Sequence, residues 1–349
     1  MNNIPNRIYS PIRYAGGKTR AAKLIARYVP QNTRRIISPF LGGASIELYL
    51  AKTRYDRIDN DGNKNDIEVI GYDIFQPLVE FWNVILTQPN ELADALMEYK
   101  PTEECFTSVR EELKKWWEKN RPIVERKEKF ELKNKVKFVA MYYFNHQYSY
   151  GPMFLGWPSS VYLNEKTHKK IVEKIRNFKC PNLTVKLGDF KDVITNHSRD
   201  LIYADPPYYD RGNNNKLFKP LYPNCNFPIH HKGFEHEELR DLLLSHRGGF
   251  ILSYNDCSTI REWYKNYIQE FPKWHYSYSQ GETRFGENRV GKNVMGLNKE
   301  QRKKLILKDA EDEEKEEILK NTLKKESHEI LIIDPSIIKK QSVSPIYFA

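Results

Sequence analysis

No stretch of this 349-residue chain approaches the roughly 18 consecutive apolar residues of a membrane-spanning helix, so no membrane partner is expected. The polar opening MNNIPNRIYS also lacks the apolar centre of a secretory signal. Cysteine is scarce: Cys105, Cys180, Cys225 and Cys257 stand apart, with no CxxC pair. That excludes a disulfide frame or a cysteine zinc site and fits reduced thiols in a cytoplasmic protein. His230, His231 and His236 lie close together, but no Cys or acid sits at ligand spacing, so no metal is expected. The 17 glycines never fall into G-x-G-x-x-G, which argues against a pyrophosphate-bearing dinucleotide. Acids are short as well, 46 against 56 Lys and Arg, and the net charge of +10 favours a polyanionic partner.

The surplus is unevenly spread. Residues 1–60 carry eleven basic side chains and three acids, and residues 109–137 carry eleven and six. The run 299–326 holds nine of each and cancels, as expected of a solvated charged insertion. Short apolar runs at 34–40, 67–73, 183–189, 200–205, 248–256 and 327–334 read as strands. Helical periodicity between them, at 18–29, 43–52 and 74–86, predicts an α/β fold with a doubly wound, parallel or mixed sheet. Residues 90–180 break this rhythm. They read as helical at first, then loop-like from 142 to 164, and are assigned to an inserted domain between 1–89 and 181–349.

Three motifs carry chemistry. In SPFLGGASIEL (38–48) a strand runs into Phe40 and then Gly42 and Gly43, where the backbone can pass close to a ligand beside a helix N-terminus. The next strand, EVIGYD, ends in Asp73, an acid placed to hold ribose hydroxyls. With no phosphate fingerprint, a nucleoside without phosphates is the better fit. In PIRYAGGKTR (11–20), Tyr14, Gly16, Gly17 and Lys18 form a small-residue turn whose cation suits a carboxylate or a DNA phosphate. The third motif is DPPYY (205–209), after the apolar LIYA. Pro206 and Pro207 end that strand, because neither can donate to the ladder. Asp205 and the Pro206 carbonyl are two acceptors suited to an exocyclic amine, and Tyr208 is a ring suited to stacking on a flat base.

With these residues in order, the chain resembles the Dam-like, α-class adenine-N6 DNA methyltransferases along nearly its whole length. RYAGGK resembles that family's N-terminal cofactor motif, PFLGGAS its FxGG motif, Asp73 its ribose acid and DPPY its catalytic signature. GDF (188–190) is similar to the segment flanking the cofactor's adenine, and FEHEELRDLL, ILSYNDCSTIREWY and HEILII follow in family order. The resemblance implies a Rossmann-like methyltransferase sheet with an inserted, mainly helical target-recognition domain. It implies S-adenosylmethionine as cofactor, held by Tyr14, Gly16, Gly17, Lys18, Phe40, Gly42, Gly43, Asp73, Asp189, Phe190 and Asp205. It further implies transfer to N6 of an adenine swung out of double-stranded DNA, with Asp205, Pro206, Pro207 and Tyr208 catalytic. DNA contacts are expected from Asn145, His146, Tyr148 and Tyr150, and from Arg126, Lys127 and Lys129 in the basic stretch. Ser38 departs from the family, where a Glu is common, and Tyr14 stands where a Trp is frequent. RNA adenine or cytosine N4 as acceptor, or a DNA-binding module on a dead scaffold, remain alternatives. A monomer is expected, with a cognate restriction endonuclease as an open partner.

Overall fold

Runs rich in Ile, Val and Leu, bounded by turn residues, become short strands. The computed structural model describes residues 8–54, 66–126, 128–151, 153–209, 233–272 and 329–339, and joins these strands into one sheet. They are β1 (Arg35–Ser38), β2 (Glu68–Asp73), β3 (Leu183–Leu187), β4 (Leu201–Ala204), β5 (Phe250–Asn255), β6 (Ile268–Glu270) and β7 (Glu329–Ile333). Among the described residues the order is β3-β2-β1-β4-β5-β7-β6. The first five are parallel, and β7 runs antiparallel between β5 and β6. Chain order reverses at β1, which pairs with β2 on one side and β4 on the other. In open α/β sheets a crevice opens at such a switch point, beyond the carboxyl ends of the strands.

Both faces of the sheet are covered, as parallel sheets require. Ile36, Val69, Tyr203, Ile251 and Leu331 point to one buried cluster, and Ile37, Ile70, Ile202, Leu252 and Ile332 to the other. The first face carries α1 (Ala22–Ile25), α2 (Ser45–Thr53) and α3 (Gln76–Thr87). The second carries α8 (Phe190–Asn196), α9 (His236–Ser245) and α10 (Ser258–Trp263). A final short helix, α11 (Pro335–Lys339), follows β7.

Between β2 and β3 come α4 (Pro89–Met97), α5 (Glu103–Glu125), α6 (Lys135–Tyr148) and α7 (Glu165–Arg176). Thr102, Asn134 and Asn164 cap α5, α6 and α7 by accepting from the backbone N–H three residues on. These helices share the first buried cluster, and Phe81 of α3 stacks on Tyr143 of α6 with ring centroids 5.1 Å apart.

Two expectations change. The loop expected from residue 142 starts only after Tyr148, because α6 is buried on every side from Phe138 onward, without the polar face that marks a surface helix. The helix expected over 18–29 is shorter, with α1 giving way to a 3-10 turn at Ala26–Tyr28. The charged run 299–326 and the pair His230 and His231 lie outside the described residues.

Candidate active site

At the end of β1, Pro39 stops the ladder and the chain turns through Phe40, Leu41, Gly42 and Gly43 into α2. Gly42 adopts φ +48°, and a Cβ on Gly43 would lie 2.7 Å from the Tyr14 Cβ. The two N-terminal motifs therefore pack directly on one another. Asp73, at the end of β2, accepts from the Gly42 N–H at 3.0 Å and from the Phe75 N–H at 2.9 Å. Each carboxylate oxygen keeps room for a further donor, and the side chain is only half-buried. Burial pushes its pKa up, while the backbone N–H groups of Phe75, Gly42 and Ile74 oppose the shift. Arg13 fixes the same segment to the far end of α6: its Nη1 donates to the carbonyls of Gln147 at 2.8 Å and Ser149 at 2.9 Å.

On the other side of the switch point β4 delivers DPPYY. Lys18 is 3% exposed, and its ammonium contacts Asp205 Oδ1 at 2.9 Å, the Tyr208 hydroxyl at 2.8 Å and Glu329 Oε1 at 3.4 Å. The cation of PIRYAGGKTR thus neutralises a carboxylate and does not face a DNA phosphate. The Tyr208 hydroxyl donates in turn to Glu329, and its ring stacks on Tyr254 of β5 at 6.1 Å. Asn255, at the end of β5, pins the next residue from both sides. Its Oδ1 accepts from the Tyr209 N–H at 2.8 Å and its Nδ2 donates to the Tyr209 carbonyl at 3.0 Å. Burial pushes the Asp205 carboxyl up, and Lys18 pulls it down. The Asp205 side chain remains 23% exposed.

An aromatic wall continues the site. Phe40 lies 5.5 Å from Phe190 and 5.7 Å from Phe234, and Phe190 and Phe234 are 5.2 Å apart. Asp189 caps α8, whose first residue is Phe190, by accepting from the Lys191 N–H at 3.1 Å. At the end of β1, Ser38 donates to the buried Glu47 of α2 at 2.5 Å, and burial pushes the Glu47 carboxyl up to about 7. Flat aromatic ligands suit such walls, and carboxylates at strand ends suit hydroxyl and amine donors.

The tertiary structure gathers Tyr14, Gly16, Gly17, Lys18, Phe40, Gly42, Gly43, Asp73, Asp189, Phe190 and Asp205 to Tyr208 along one sheet edge. It separates the residues expected on DNA. Asn145, His146 and Tyr148 are buried in α6, so a direct groove contact from them is corrected: they fill the core, with His146 stacked on Tyr14 at 6.2 Å and Tyr148 against Phe144 and His168. Burial lowers the His146 pKa to about 3, which leaves its ring neutral. Tyr150 is 45% exposed, in a short hairpin closed by its N–H to the Trp157 carbonyl at 2.8 Å. Trp157 is itself exposed, with Arg110 over its ring. Arg126 and Lys129 are exposed, Arg126 being paired with Glu128, and Lys127 lies outside the described residues.

Sequence reasoning missed Glu329, Glu47, Phe234 and Trp157. The signal for the two acids was available: each is a carboxylate set inside an apolar run, EILII and SIEL, where burial demands a partner.

A family model described as D12 class N6 adenine-specific DNA methyltransferase matches residues 14–280. The chain is 23% identical over 238 residues to the type II methyltransferase M.MjaIII of Methanocaldococcus jannaschii, covering 63% of this chain and 73% of that protein. It is 22% identical over 264 residues to the DNA adenine methylase of Salmonella typhi, covering 73% and 83%. It is 21% identical over 280 residues to the type II methyltransferase M.CviBI of Paramecium bursaria Chlorella virus NC1A, covering 79% and 94%.

Proposed function

Because the chain belongs to the D12 class of N6 adenine-specific DNA methyltransferases, and so methylates adenine in DNA, we propose that the β1–β4 crevice is where transfer occurs. The observation that carries this reading is the juxtaposition across the switch point: the Phe40–Gly43 turn on β1, and Asp205, partly open to solvent, on the adjacent β4.

The methyl donor in this reading is S-adenosylmethionine. The residues present fit it. Phe40, Phe190 and Phe234 offer faces for its purine, Asp73 retains acceptor capacity for ribose hydroxyls, and Gly42 and Gly43 keep side-chain bulk away from the turn. When bound, it supplies an electrophilic methyl whose C–S bond breaks with the electron pair returning to sulfur as the adenine nitrogen forms the new N–C bond.

Asp205 and the Pro206 carbonyl accept the two N6 hydrogens in this scheme. Their pull draws the nitrogen lone pair out of the ring toward the methyl. Nitrogen becomes positive as the bond forms, and its proton passes to Asp205 and on to water. The chain's contribution is mainly positioning and electrostatics. Pro207 carries the chain on to Tyr208, whose ring closes over the base, and Asn255 holds that stretch in register. An adenine paired inside a duplex cannot reach this edge, so the base leaves the stack.

Residues 90–180 act as the target-recognition region, with the hairpin bearing Tyr150 and Trp157 toward the DNA and the Lys and Arg side chains of 109–137 against phosphates. The enzyme works as a monomer on a specific duplex sequence. Two relatives bear type II methyltransferase names, which supports pairing with a restriction endonuclease of the same specificity.

The test is transfer from labelled S-adenosylmethionine to duplex DNA, RNA or no acceptor, with Asp205→Ala alongside. Label on N6 of adenine in duplex DNA is expected. Asp205→Ala is expected to bind the donor normally and to lose turnover by about 100-fold or more. Transfer to RNA alone, or an active Asp205→Ala, overturns the assignment.

A further inference from the structure

Glu329 opens β7, a strand otherwise made of Ile and Leu, and is 3% exposed. A carboxylate there has lost its water and must be compensated by its neighbours. Its described contacts are all donors. Oε1 accepts from the Tyr208 hydroxyl and lies 3.4 Å from the Lys18 ammonium, and Oε2 accepts from the Ser253 hydroxyl at 3.3 Å. Lys18 also donates to the Tyr208 hydroxyl, so the bonds run in one direction, from Lys18 through Tyr208 to Glu329. Burial pushes the Glu329 carboxyl up, and the Lys18 ammonium, which can only donate, pulls it down and favours the ionised form.

The charges then have a consequence at Asp205. Lys18 lies 2.9 Å from Asp205, and those two groups alone sum to zero. A neutral pair is a weak electrostatic partner for an amine that becomes positive as it is methylated. With Glu329 on the far side of the same ammonium, the three groups sum to one negative charge.

We propose that Glu329 is a positioning residue for methyl transfer: it holds the Lys18 ammonium and the Tyr208 hydroxyl in place, and its charge leaves the Asp205 site net negative where the target nitrogen turns cationic. The inference rests on the reading of Asp205 as acceptor of the target amine. Glu329 touches no reacting atom and acts through Lys18 and Tyr208.

Glu329→Gln keeps the shape of the side chain and removes the charge. The expected result is a fall in kcat of about tenfold to 100-fold, with KM for duplex DNA and for S-adenosylmethionine within about twofold of wild type. Removing a negative neighbour also favours ionised Asp205, so the acid limb of the kcat profile moves to lower pH, which a purely structural lesion would not do. The titratable groups around Asp205 are Lys18 from the N-terminal turn, Glu47 from α2, Tyr203 and Tyr208 from β4 and its loop, and Glu329 from β7; only Glu329 changes in this variant.

Glu329→Asp keeps the charge one methylene short. It is expected to hold the wild-type acid limb and to lose less kcat than the Gln variant, and it carries the test should the Gln variant not fold. A Gln variant with wild-type kcat, a loss confined to KM, or an Asp variant whose acid limb shifts overturns the proposal. Asp205→Ala run beside them separates the two levels. If it is inactive while Glu329→Gln is normal, only the Glu329 inference falls; if it is active, the reading beneath it falls too.

Discussion

Glu47 is a carboxyl enclosed by α2 and the end of β1, with the Ser38 hydroxyl as its hydrogen-bond partner. Its pKa rises from 4.5 to about 7, chiefly by burial. A raised pKa means that the folded state favours the protonated form. The stability it contributes is therefore complete below about pH 4.5 and is lost as pH climbs through about 7. The shift corresponds to about 3 kcal/mol as an order of magnitude. Urea unfolding at pH 5 and pH 8 is expected to show wild type losing stability over that interval, with Glu47→Gln losing distinctly less. Equal losses in the two proteins would show that Glu47 ionises freely in the fold. Ser38 has a role here as well: its hydroxyl serves a carboxylate supplied from the neighbouring helix.

At the scale of elements, the site depends on two strand ends being locked to their neighbours. β5 holds the segment after β4 through the paired bonds of Asn255 to Tyr209, and Arg13 holds PIRYAGGKTR to the end of α6. Carbonyls at a helix C-terminus lack intrahelical donors, and a guanidinium satisfies them while favouring the negative end of the helix dipole. Asn255→Ala should leave donor binding intact and lower kcat about tenfold, because Tyr209 and with it Tyr208 lose their register. Calorimetric titration with the donor beside single-turnover kinetics checks this. Weakened donor binding with kcat preserved would place Asn255 in the donor pocket instead.

Periodicity located most of these elements, since alternation and flanking turn residues are local signals. It failed at α6, where VAMYYFNHQY carries apolar residues on every side and yields no face to read. The helix is buried all round, so its polar-looking Asn145 and His146 are interior residues.

On the scale of the whole molecule, a net charge of +10 and the basic stretch 109–137 predict DNA binding that weakens linearly in log affinity with log salt. The slope should be about −0.9 for each phosphate neutralised. Trp157→Ala and Tyr150→Ala are expected to weaken duplex binding about tenfold each, with the affinity for S-adenosylmethionine unchanged. Fluorescence anisotropy with cognate and scrambled duplexes reads both effects. Unchanged DNA affinity in both variants would remove the hairpin from the interface. The same experiment on Asn145→Ala is a contrast, since that side chain is enclosed and its loss acts on folding.

Read alone, the sequence determined the class of fold, the order of its motifs and the end of a strand at DPPY. Strand length, proline placement and glycine turns are local, and a carboxylate followed by two prolines can only end a strand. What the tertiary structure decided is which of these ends meet. Pairing of β1 with β4 sets the glycine turn beside Asp205, and insertion of β7 next to β5 delivers Glu329, 124 residues beyond Asp205, to the same ammonium. Such contacts depend on strand order and burial, which arise from the packing of the whole chain. For that reason Asp205 and Lys18 could each be named from a short motif, whereas their pairing with one another and with Glu329 could not.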